Sequence, residues 1–150
     1  MDQATLKQWM SEAKLEGKED ADGFLTVVSG NLEISVGYVA EADLVVCFAS
    51  LLELTGLEDA QRIEALSQSL ALNGVGSLPP GCAVSYEDAG DVVFLLWQQS
   101  PDQMDSTRFE TAFRDFETAA AQVQEHLRGL LSDSAPAAGD YGASDSVIKV

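Results

Sequence analysis

The sequence is short of positive charge. Eight lysines and arginines face twenty-five aspartates and glutamates over 150 residues, giving a formal net charge of −17 and a pI near 4.1. Such a field repels phosphate backbones and anionic headgroups, so it disfavours direct contact with nucleic acid or a membrane surface and favours protein partners of basic or neutral surface. Cysteine is equally scarce. Cys47 and Cys82 each sit in an apolar stretch and are too few for a disulfide framework; they read as two buried thiols of a reducing cytosol, with one bridge as the alternative. No run approaches the ~18 consecutive apolar residues of a spanning helix. The first residues, MDQATLKQWM, lack the basic-then-apolar order of a signal peptide. A soluble, cytoplasmic protein is expected.

The chemistry-bearing residues are few as well. The one histidine, His126, falls near the edge of a helical apolar stripe with no serine or cysteine nucleophile close in sequence. No G-x-x-x-x-G-K, G-x-G-x-x-G or G-x-S-x-G pattern occurs, and no lysine follows Gly74-Val75-Gly76 to meet a phosphate. Asp20-Ala21-Asp22-Gly23 resembles the middle of a calcium loop, but Lys18 and Ser29 stand where the first carboxylate and the bidentate glutamate belong, so it reads as a solvated turn. Glu87, Asp88 and Asp91 read the same way, and two cysteines with one histidine make no recognisable zinc spacing. No enzyme, cofactor or metal site is expected.

What is present is an ordinary globular apolar fraction, 46%, in a 16.0 kDa chain that fits one domain. Leu6, Trp9, Met10 and Ala13 predict a short amphipathic helix over residues 5–16. Strand patterns follow at Phe24–Val28, at Leu32–Tyr38 with strict alternation, and at Leu44–Ala49, which is apolar on both faces and therefore central. A second helix, about Glu58 to Leu72, carries the stripe Leu57, Ile63, Leu66 and Leu70. A breaker-rich segment over residues 73–81 precedes a hairpin of Cys82–Tyr86 and Val92–Trp97. The last helix, about Asp105 to Leu131, repeats Phe109, Phe113, Phe116, Ala120, Val123, Leu127 and Leu130 at three and four. The order α-β-β-β-α-β-β-α describes an α+β domain over residues 1–131 with a largely antiparallel twisted sheet and flanking helices. Residues 132–150, rich in Ala, Gly, Ser and Asp, read as a disordered tail, with docking of Val147-Ile148-Lys149-Val150 on a sheet edge as the alternative.

Over about residues 5–131, most tellingly from Leu66 to Leu127, the chain is similar to the class I type III secretion chaperones, the Tir-chaperone-like (CesT) family. It carries a helix ending in Leu70-Ala71-Leu72-Asn73, the hairpin strand Val93-Phe94-Leu95-Leu96-Trp97, the acidic linker Pro101-Asp102-Gln103-Met104-Asp105, and the aromatic stripe of the last helix. Val123 stands where family members often carry tryptophan, and Pro79-Pro80 interrupts the turn. The resemblance implies a bacterial, virulence-associated homodimer without nucleotide or catalysis. It would bind the N-terminal segment of a secreted effector, keep it extended and export-competent, and meet the secretion-apparatus ATPase.

Effector-binding candidates are Leu6, Trp9, Phe24, Val28, Ile34 and Val36, each of which is alternatively plain core. Ile63, Leu66, Leu70, Val84 and Tyr86 exceed what one helix on a short sheet needs to bury, and the resemblance implies dimerisation through this region. From Glu19 to Asp105 the only basic residue is Arg62 against fifteen acidic ones. This charge leaves a second reading open: an acidic nucleic-acid mimic or regulatory adaptor that binds a basic protein. The carboxylates fall in turns, as turn chemistry alone would place them.

Overall fold

A computed structural model describes residues 1–74 and 76–134; the expected tail lies, from residue 135 onward, outside the described residues. The chain runs α1 (Gln3–Glu12), β1 (Lys18–Glu19), β2 (Leu25–Ser29), β3 (Leu32–Val39), β4 (Leu44–Glu53), α2 (Asp59–Leu72), β5 (Cys82–Glu87), β6 (Val92–Gln99), a one-turn 3-10 helix at Pro101–Gln103, and α3 (Ser106–Ser134). The expected α+β architecture is observed: a six-stranded antiparallel sheet, ordered β1-β2-β3-β4-β6-β5, with flanking helices.

Three details depart from expectation. The polar run after α1 forms a two-residue strand, β1, paired with Thr26 and Leu25. The first helix is shifted toward the N-terminus. Asp2 caps it by accepting the Thr5 N–H at 2.8 Å, and Lys14 adopts a left-handed backbone (φ 57°) that stops it. At the other end of the chain, α3 continues to Ser134, past the expected boundary at Leu131.

Strand alternation sorts the side chains. Leu25 and Val27 of β2, Ile34 and Val36 of β3, Val45, Cys47 and Ala49 of β4, and Val93, Leu95 and Trp97 of β6 are all buried. They face Leu6 and Met10 of α1 and the Phe109, Phe113, Phe116 stripe of α3 in one core. Trp9 and Phe109 approach with ring centroids 6.0 Å apart, and Phe109 and Phe113 at 6.2 Å. A bulge at Leu51 interrupts the β4–β6 ladder, and the buried Gln124 amide of α3 donates to the Leu51 carbonyl at 3.4 Å.

The second helix is turned relative to the expected stripe. It buries Ala65, Gln68, Ser69 and Leu72, while Ile63 and Leu70 are 66% and 72% exposed. The small residues Ala65 and Ser69 let α2 approach α3 and β5, and the Ser69 hydroxyl is satisfied by the Ala65 carbonyl at 2.6 Å. The helix thus has two apolar faces, and tertiary packing chose the one with smaller side chains.

Candidate partner-binding surface

The sheet face opposite the core carries an apolar patch that has no covering layer among the described residues, with Thr26, Glu33, Ser35 and Ser50 as polar positions on the same face. Register places Phe24 and Val28 beside β3, Val39 at the end of β3, Leu44, Val46 and Phe48 on β4, and Phe94 and Leu96 on β6. None of these belongs to the core or packs against it. Val28 is 69% exposed and Phe48 36%. The Phe24 and Phe48 rings meet edge to face at 5.7 Å, and Phe24 lies over Gly37, where a Cβ would stand 2.4 Å from the ring. Glycine at position 37 therefore lets an aromatic ring lie flat against the sheet. A contiguous apolar face of this kind is the ordinary mark of a protein-binding surface.

The sheet's two edges differ. At β5 the side-chain amide of Asn73, just past α2, donates to the Val84 carbonyl at 2.9 Å and accepts the Val84 N–H at 2.7 Å. At β2 only Leu25 and Thr26 have β1 partners, so the outer side of Val27–Ser29 has no strand partner among the described residues. Beside that open edge runs a groove lined by residues 14–18, by Thr26 to Val28, and by Arg114 and Glu117 of α3.

The six effector-binding candidates are not brought together. Phe24 and Val28 lie on the uncovered face; Trp9 is half-buried against Phe109. Leu6, Ile34 and Val36 are fully buried, a correction to their candidacy: their alternation faces the helices, so a partner could reach them only by opening the core. Val46, Phe48, Phe94 and Leu96, which share the face with Phe24, were not among the candidates. Their signal was in the sequence as strands apolar on both sides.

The five dimer candidates divide similarly. Ile63, Leu70 and Tyr86 are exposed; Leu66 is half-buried against the core. Val84 is buried at β5 and is corrected to core, because its strand face points under α2.

One carboxylate at each of three turns has local bonds. Asp20 accepts from the Asp22 and Phe24 N–H groups at 2.9 and 3.0 Å, and Asp43 accepts from the Tyr38 hydroxyl at 2.7 Å. Asp91 corrects the reading of its hairpin tip as merely solubilising. It takes Arg62 in two prongs at 2.7 and 3.0 Å and the Tyr86 hydroxyl at 2.7 Å. Those partners, Arg62 foremost, hold its carboxyl down at about 2. Burial pushes the Cys47 thiol up and the Cys82 thiol up to about 11, so neither is a ready nucleophile. His126 is half-buried on α3, with its Nε2 buried and unpartnered among the described residues.

No protein-family model and no curated protein matches the chain. Solved structures do match in fold. A chain of the Yersinia pestis type III secretion chaperone SycH in complex with a stable fragment of YscM2 is 17% identical, with a TM-score of 0.54 over 81% of this chain and 98% of that one. A chain of the ExsC–ExsE complex is 14% identical, with a TM-score of 0.61 over 83% and 92%. YbjN from E. coli is 13% identical, with a TM-score of 0.62 over 84% and 93%. At these identities the shared property is the fold.

Proposed function

We propose that this chain is a type III secretion chaperone of the Tir-chaperone-like class, which binds the N-terminal segment of a secreted effector and keeps it extended and export-competent. The observation that carries this reading is the uncovered apolar patch of Phe24, Val46, Phe48, Phe94 and Leu96 on the sheet, on the same face as Val28 of the open β2 edge and separated from it by Thr26, Ser35 and Glu33. An extended segment added at that edge gains backbone hydrogen bonds, and its alternate side chains reach the apolar face. The fold shared with SycH, whose structure holds a YscM2 fragment, supports the same reading. Protein binding requires no activated group, in keeping with thiols that burial keeps protonated. The chaperone acts as a homodimer through the outward stripe of α2, Ile63 and Leu70, with Tyr86 beside it.

The carboxylates favour this reading over phosphate mimicry. Asp20, Asp43 and Asp91 are engaged by their own turns and neighbours, which removes these three from any set of free charges. Calorimetry with the N-terminal segment of a candidate effector tests the proposal. Binding should show a negative heat-capacity change and weaken only modestly with salt. Val28→Asp and Phe48→Asp should each abolish it while leaving the melting temperature near that of the parent. Steeply salt-sensitive binding to a basic nucleic-acid-binding protein, with none to effector segments, would overturn the proposal.

A further inference from the structure

We infer that the open edge of β2 selects an extended segment flanked by acidic side chains, a preference opposite in sign to that set by the chain's overall charge. The inference rests on the edge-pairing reading above and adds the chemistry of the occupant.

The basic residues are few, and they are not scattered. Of the eight, four (Lys7, Lys14, Lys18 and Arg114) line the groove beside β2 and its continuation along α1. Two acidic residues there are already engaged: Glu19 by Lys7 at 2.9 Å and Glu117 by Arg114 at 3.3 Å. Arg114 also donates to the Ala13 carbonyl at 3.3 Å, which fixes its guanidinium at the groove wall where α1 ends. Lys14 and Lys18 are exposed and make no ion pair among the described residues. Glu16 is the remaining acidic residue of the wall.

The topology directs a strand to this place. The far edge of the sheet is occupied at Val84 by the Asn73 amide, whereas Val27–Ser29 of β2 has no outer partner among the described residues. A segment lying along Val27–Ser29 continues the line of β1 and enters the groove that Lys14, Lys18 and Arg114 line together with Thr26 to Val28. Carboxylates flanking such a segment meet the Lys14 and Lys18 ammonium groups, which make no ion pair among the described residues; lysines there meet them as like charges. At longer range the net charge of −17 draws in the opposite, basic segment. Local and global electrostatics therefore make opposite predictions, and binding distinguishes them.

The test uses the full chain and three fluorescein-labelled synthetic peptides. All share a core of alternating valine and threonine, flanked at both ends by glutamate, glutamine or lysine, and binding is followed by anisotropy at low and physiological ionic strength. The glutamate peptide should bind about threefold to tenfold more tightly than the lysine peptide, the scale of a few exposed ion pairs. The double variant Lys14→Gln/Lys18→Gln should lose that preference with an unchanged melting temperature. Equal binding of the peptides, or a lysine preference, overturns the acidic selection and leaves edge pairing standing. A glutamate preference that survives the double variant overturns the assignment to this groove. Failure of all three peptides to bind overturns the edge reading itself.

Discussion

Asn73 and Val84 pair as two strand residues would, although only one of them lies in a strand. The Asn73 side-chain amide presents one donor and one acceptor to the Val84 carbonyl and N–H, at 2.9 and 2.7 Å, and so closes the middle of the β5 edge. Exposed edges invite association with other chains, and proteins commonly cover them.

Asn73→Ala should leave both Val84 backbone groups unpaired at a partly buried site, costing about 1–3 kcal/mol. For a domain of this size that is a fall in melting temperature of roughly 2–4 °C per kcal/mol. The variant should also associate beyond the parent's own oligomeric state, through the reopened edge. Thermal denaturation and light scattering check the two halves; an unchanged melting temperature would show that water replaces the amide without loss.

Arg62 and Asp91 are 29 residues apart in sequence and tie α2 to the β5–β6 turn. The carboxyl of Asp91 is lowered from 3.8 to about 2, chiefly by Arg62 and then by Tyr86. A lowered carboxyl contributes stability that is fully present above its unfolded value and is lost as pH falls through the folded one. The difference in melting temperature between the parent and Asp91→Asn should therefore hold steady from neutral pH to about pH 4 and shrink toward pH 2. Asparagine tolerates the left-handed backbone of position 91 (φ 52°), so backbone strain adds little to the comparison. Because the pair is partly exposed, added salt should also narrow the gap. A gap that stays constant to pH 2 would assign the effect to something other than this carboxylate.

Gly37 and Phe24 make a coupled pair on the uncovered face. A methyl group at position 37 would stand 2.4 Å from the Phe24 ring, so Gly37→Ala should displace the ring from the sheet and break its contact with Phe48. The expected loss is about 1–3 kcal/mol, as for other overpacked sites. In the Phe24→Ala background the same substitution should cost far less, since nothing remains for the methyl to strike. Chemical denaturation of the four proteins in this cycle measures the coupling directly; simple additivity would mean the ring is free to move aside.

Much of the fold was legible because its signals are local and periodic. Leu32–Tyr38 alternates strictly, and the Phe109–Phe113–Phe116 stripe repeats at helical spacing; both took the predicted form. The candidate surface was less legible because alternation gives two faces without saying which one the helices cover. Ile34 and Phe24 are both apolar strand positions, and only the docking of α1 and α3 makes the first core and the second surface. The same limit governs α2. Ile63 and Leu70 look like a core stripe until the close approach allowed by Ala65 and Ser69 turns them outward. Nor could the partners of Asn73 and Arg62 be read from spacing, since their bonds cross between elements.

That outward turn makes a decisive experiment possible at Leu70. Had the residue been core, a charge there would unfold the chain, and loss of a dimer would carry no information. At 72% exposure, Leu70→Asp should change the stability of the isolated protomer by no more than about 0.5 kcal/mol, as surface substitutions usually do. In a dimer built on the Ile63–Leu70 stripe, with Tyr86 alongside and held by Asp91, the new carboxylate would be buried against an apolar partner surface without a counter-charge. Light scattering should therefore find the parent dimeric and Leu70→Asp monomeric, with circular dichroism of the two superimposable. Ile63→Asp should behave the same way, while Ser67→Asp, on the same exposed helix face, should weaken the dimer in proportion to its burial there. A parent that remains monomeric at high concentration would remove the dimer from the proposal. It would leave the α2 stripe as a second apolar surface for the bound segment.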